Sequence, residues 1–236
     1  MRARNRIESL NLRSTEMRES SSKDLKRDFI AALRIISHQG LSDAFAHLSA
    51  RIDGGRKMLF MPRKSPALVK LKDLFVIDFE KGVPQSAVHQ AMYRAREDIR
   101  AVIHFHSPQT VLLTVVGQTI RPLHNYSAIF HEGVPLFEGT GQVESPERAA
   151  EIARILGSSK AVLLRGHGAV VVGRSIPEVC ILSLYLEESA RLQVEAIKLG
   201  APRYISREEA EKIARRTFKP ESTTRAWEHF KAQVRI

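Results

Sequence analysis

Two short apolar runs in this 236-residue chain each break off at a histidine, and that pairing narrows the folds open to it. Ala101-Val102-Ile103 runs into His104-Phe105-His106, and Ala161-Val162-Leu163-Leu164 runs into Arg165-Gly166-His167-Gly168. Apolar runs this short read as buried strands. Helical stretches alternate with them, so the chain is of the α/β class. Leu25, Phe29, Leu33 and Ile36 recur at helical spacing from Lys23 until Gly40 stops the helix. Leu48–Ile52 and Lys57–Met61 flank Asp53-Gly54-Gly55, a hairpin turn in which both glycines accept positive φ. A third strand is expected over Leu74–Phe79, and helices over Val88–Arg96 and Pro108–Val116. Ser145-Pro146-Glu147 and Ser175-Ile176-Pro177-Glu178 are helix starts, with a serine cap and an acid near the positive end of the dipole. The second of these helices should run to Leu199. The tail from Arg207 to Val234 predicts one or two amphipathic helices around the only tryptophan, Trp227. Residues 1–22 lack apolar periodicity and read as a mobile arm. With no internal repeat and no linker-like gap, residues 23–236 are expected to form one domain.

Composition excludes several functions. A single cysteine, Cys180, rules out a disulfide framework or a thiolate metal cluster and points to a reducing cytoplasm. The chain has no run of eighteen apolar residues and no secretory core, so a membrane role is not expected. The formal net charge is +11. Its basic residues are interspersed with acids, as in Arg94-Ala95-Arg96-Glu97-Asp98, without an aromatic-basic stripe or a helix-turn-helix pattern. The excess therefore favours an anionic small molecule over nucleic acid.

His104 and His106 stand two apart at a strand end, so alternation turns both to one face of the sheet. His167 sits between two glycines at the end of a second strand, where small neighbours allow close approach. Three neutral imidazoles suit a divalent cation and leave a coordination position free for substrate. A lone His-x-His is commonly just two polar residues; the second strand-end histidine is what raises the pair to a candidate site.

The segments Tyr93–Asp98, Ala101–Ser107 and Arg165–Gly168, in that order, resemble the class II aldolase/adducin family, and the similarity extends from about Leu33 to Leu199. The resemblance implies a three-layer α/β/α domain around a largely antiparallel sheet, and a homotetramer with active sites between neighbouring subunits. It also implies one divalent ion per subunit, manganese or zinc with iron as the alternative, held by His104, His106 and His167. Where sugar-phosphate aldolases of the family carry a Gly-Asn motif, this chain has Ala46-His47-Leu48-Ser49-Ala50-Arg51. Where they carry Thr-Pro-Ser-Gly it has Met61-Pro62-Arg63-Lys64, and their catalytic glutamate falls on Gln85, four residues before His89. An amide has no useful pKa, so acid-base catalysis from that position is lost.

The segments Gly40–Arg51, Met61–Arg63 and Arg165–Ser175 resemble the family's branch of decarboxylases acting on hydroxylated aromatic, pyridine and muconic semialdehyde carboxylates, some of which retain the glutamate that Gln85 replaces. By that resemblance Arg63 and Lys64 would bind an anionic substrate, with His47 and Gln85 at the reacting centre. Competing expectations are an aldolase or epimerase on a sugar or hydroxy acid, an iron-dependent oxygenase, and an adducin-like module without metal. His47, Arg63 and Lys64 also admit ordinary structural or solvated roles. His89 is expected to pack within its helix, and Cys180 to be core. His38 and His229 are expected at the surface. In the family, the stretch holding His124, Tyr126 and His131 lies near the site, at times a neighbour's.

Overall fold

The computed structural model of the chain describes residues 23–52, 55–81 and 83–235. Its strands are β1 (His47–Ile52), β2 (Lys57–Phe60), β3 (Phe75–Asp78), β4 (Ala101–Phe105), β5 (Leu136–Phe137), β6 (Ala161–Leu164) and β7 (Gly168–Gly173). They form one sheet of order β3-β2-β1-β4-β7-β6-β5. The apolar run of β4 explains its central place, because every one of its residues is buried. Five neighbouring pairs are antiparallel and one, β5 with β6, is parallel. The expected largely antiparallel sheet is thus found with one parallel edge.

Strand alternation divides the core. Ala101, Ile103 and Phe105 of β4 pack with Phe29 and Leu33 of α1 (residues 23–38) and with Val179 and Leu186 of α5 (Ile176–Leu199). Val102 turns to the other face, among Val88 and Met92 of α2 (Ala87–Ala95) and Ile152 and Leu156 of α4 (Pro146–Leu156). α3 (Pro108–Val115) follows β4 directly.

Local signals act as their chemistry requires. Gly40 takes φ +70° beyond α1, and the Ser145 and Ser175 hydroxyls each accept an N–H bond of 3.2 Å from the third residue onward. The tail forms two helices, α6 (Arg207–Thr217) and α7 (Pro220–Lys231). Pro220 opens the second because a residue before proline disfavours helix. The third strand is shorter than expected, since Leu74 and Phe79 flank it. β5 has only two residues, too few to show any period. Asp53 and Gly54 of the expected hairpin turn, and the arm at residues 1–22, lie outside the described residues. Among the described residues no helix is long and apolar enough to cross a membrane.

Trp227 of α7 is only 4% exposed and belongs to the same core cluster as α1 and α5. Trp227→Ala should therefore cost about 3–5 kcal/mol in urea unfolding; a loss below about 1 kcal/mol would mean that the tail is not part of the packed unit.

Candidate metal centre and its cavity

Four strands bring the histidines together. β1 pairs with β4 so that His47 lies across from His104, and β7 pairs with β4 so that Phe105 faces Ala169. β6 and β7 form a hairpin whose turn, Arg165–His167, closes with a 3.0 Å bond from His167 N–H to Leu164 O. Gly166 in that turn has φ +64° and donates its N–H to Thr114 Oγ1 of α3 at 3.0 Å. Gly168 admits no side chain: with φ +155°, a Cβ there would stand 2.1 Å from Phe105 O. The glycine thus lets the hairpin press against β4, which sets His167 beside the strand-end pair. Beyond His106, Glu187 of α5 accepts the N–H groups of Gln109 and Thr110 at 3.1 and 3.0 Å and the Thr110 hydroxyl at 2.7 Å. That carboxylate caps α3 at its positive end and fixes the segment leaving the site.

The ligand atoms of His104, His106 and His167 all lie within 4.8 Å of one another. Their tautomers follow from their partners. His104 Nδ1 lies 3.0 Å from Ala169 O, and a carbonyl only accepts, so Nδ1 carries the proton. His106 Nδ1 lies 3.1 Å and 3.2 Å from the two Asp43 carboxylate oxygens, which likewise accept. In the neutral rings both Nε2 atoms are therefore bare, and they face each other at 3.0 Å. Two lone pairs at that distance repel unless a positive charge lies against them. Burial and then the His106 and His167 rings hold His104 well below the usual histidine range, so the His104 ring is a poor place for that charge. A divalent cation fits the donor set, and borderline nitrogen donors suit zinc, manganese or iron.

The group opens on a cavity of about 760 Å³ whose walls include His47, Arg63, Lys64 and Gln85 with the three histidines. Burial is the main cause that lowers His47 to about 4, with the His106 ring and the Arg63 charge adding to it. Burial likewise lowers His167. The two cations are already engaged. Arg63 lies 3.6 Å from the Glu144 carboxylate in an exposed pair, and Lys64 Nζ lies 2.9 Å from Asp73. Exposed pairs of the Arg63 type hold weakly, so that guanidinium can turn toward an anion; Lys64 is the more tightly held.

Sequence reasoning missed Asp43, Glu144 and the apolar wall made by Phe45, Val88, Val143 and Leu164. Asp43 and Phe45 lie in an irregular loop before β1, where no period marks them. His89 is fully buried as expected of a packing residue; its Nδ1 lies 2.7 Å from Ser49 Oγ, which lies 2.8 Å from Tyr93 Oη. Cys180 is buried, and His38 and His229 are exposed. His124, Tyr126 and His131 do not line this chain's cavity. His124 instead approaches Ser189 at 3.3 Å, and Tyr126 stacks on Tyr185 at 4.4 Å.

Residues 27–194 match the family described as Class II Aldolase and Adducin N-terminal domain, and the chain belongs to that family. It is 26% identical over 205 residues to the decarboxylase tropJ of Talaromyces stipitatus, covering 74% of this chain and 77% of that protein. It is 28% identical over 200 residues to a 3,4-dihydroxyphthalate decarboxylase of Arthrobacter keyseri, covering 74% and 79%. In fold it is similar to the L-fuculose 1-phosphate aldolase from Glaciozyma antarctica, with a TM-score of 0.80 and 21% identity over 92% of this chain and 90% of that one.

Two outcomes are expected. Gly168→Ala should cost about 1–3 kcal/mol in chemical unfolding, because the added methyl meets backbone that cannot yield; an unchanged midpoint would contradict the tight β4–β7 contact. In metal-stripped protein, stability should fall as pH drops from about 6.5 to about 4, because the unfolded chain takes up a proton at His47 that the folded chain refuses until the lower value. Urea midpoints measured across that range should fall less steeply for His47→Gln, and parallel slopes for the two proteins would sink the assignment.

Proposed function

We propose that this protein is a divalent-metal-dependent, non-oxidative decarboxylase of an ortho-hydroxy aromatic or pyridine carboxylate or dicarboxylate. The observation that carries the reading is one cavity in which three histidines able to hold a cation share walls with Phe45, Val88, Val143 and Leu164 and with the Arg63 guanidinium. An aromatic ring fits apolar walls, and its carboxylate fits a planar, permanently charged fork. The volume suits a single-ring acid. The relatives named as decarboxylases support the same reaction class.

His104, His106 and His167 would hold the ion, which when bound supplies a Lewis acid for the electron density released as CO2 departs. In the reaction the bond between ring and carboxylate breaks, CO2 leaves, and a proton from solvent takes its place on the ring carbon. Arg63 binds a carboxylate of the substrate and orients the ring, exchanging its loose contact with Glu144. Lys64 adds positive charge to the rim while Asp73 holds it. His47 is neutral near pH 7, given its value of about 4. It therefore orients the water that brings the proton rather than storing a proton itself. Gln85 accepts at Oε1 and donates at Nε2, so it can position the same water without changing charge. Phe45, 68% exposed at the cavity wall, and the exposed Leu112 and Val115 of α3 with Val116 just beyond it support assembly in which a second copy covers apolar surface, as in a homotetramer with sites between subunits.

Manganese-loaded protein incubated with hydroxylated phthalates and pyridine dicarboxylates should release CO2 equally with and without oxygen. Strict oxygen dependence would replace this reading with an oxygenase, and cleavage of a phosphorylated sugar would replace it with an aldolase. With the accepted substrate, Arg63→Ala should raise KM about tenfold, as expected for losing one charge-assisted contact, with a smaller effect on kcat.

A further inference from the structure

We infer that Asp43 is a positioning residue of the metal centre, fixing the tautomer of His106 and the loop at the cavity mouth with one carboxylate; this rests on the three-histidine reading above. Both Asp43 oxygens lie within 3.2 Å of His106 Nδ1, so the ring is held as the Nδ1–H form with Nε2 turned to His104. The same Oδ1 accepts the Phe45 N–H at 2.7 Å. The loop carrying Phe45 thus leans on a side chain whose other task is to orient a ligand. Ser42, next to Asp43, is tied to Ser37 of α1 by a 3.1 Å hydroxyl contact, so the loop is anchored on the side away from the cavity as well.

The arrangement has a chemical consequence. A free imidazole divides its proton between its two nitrogens, and only the Nδ1–H form offers Nε2 to a cation. A carboxylate on Nδ1 selects that form and raises the basicity of the opposite nitrogen. His104 receives the same selection from a neutral carbonyl, Ala169 O; His106 receives it from a full negative charge. Of these two partners, Asp43 is the one that also offsets positive charge brought by an ion. Its half-exposed side chain contributes little to the core, so removing it should leave the metal-free fold intact.

The test is the affinity for manganese and for zinc, measured by competition with a chelator in the parent protein, Asp43→Asn and Asp43→Ala. His106→Ala serves as the reference for a lost ligand. Asp43→Ala should bind 10–100-fold more weakly at an unchanged metal-free thermal midpoint. Asp43→Asn, whose amide oxygen still accepts both N–H groups but lacks the charge, should fall between it and the parent. Affinities within about twofold of the parent in both variants would overturn the inference while leaving the metal reading standing. So would a loss matched by an equal fall in the metal-free midpoint, since Asp43 would then serve only the fold. A parent protein that binds neither ion overturns the metal reading itself.

Discussion

Two imidazole nitrogens, His104 Nε2 and His106 Nε2, face each other at 3.0 Å with their protons committed to the far side of each ring. Left alone, that contact is repulsive, and burial lowers the affinity of His104 for a proton. The surrounding structure holds the contact closed. β4 is pinned on both edges by antiparallel partners, Gly168 allows β7 to approach without a side chain between, and Glu187 clamps the helix that follows. A frame this constrained keeps three nitrogen donors in place for a cation instead of letting them relax apart.

The rest of the cavity extends the same economy of elements. The face of the sheet that carries His104 also carries His47, its cross-strand neighbour, and behind it the Ser49–His89–Tyr93 network joins β1 to α2. Charge is placed at the rim, where Arg63 and Lys64 rest against acids, and apolar surface forms the walls. A mouth carrying cations over an apolar interior suits the ring-bearing anion of the proposed function. A formal charge of +11 would add long-range attraction for such an anion.

Much of the frame was legible because its signals are local. The run Ala101–Phe105 gives β4 to the residue, the serine caps give the starts of α4 and α5, and the glycines beside His167 give a turn with close approach. Alternation alone turns His104 and His106 to one face. The parallel edge strand β5 was not legible, since a two-residue strand has no period and its pairing with β6 depends on a distant segment. Asp43 was not legible for a related reason: its role comes from a contact with His106, sixty-three positions away, made by a loop whose own sequence carries no regular pattern. The engagement of Arg63 and Lys64 by Glu144 and Asp73 is likewise a product of tertiary placement, and it separates two cations that the sequence treats as equivalent.

The centre is most directly tested by crystals of the protein grown with manganese and measured at a wavelength where manganese scatters anomalously. The account predicts one strong anomalous peak per chain, lying among His104, His106 and His167, with Asp43 still on His106 Nδ1. A map without a peak there, or with the three rings turned away from a common point, would contradict it.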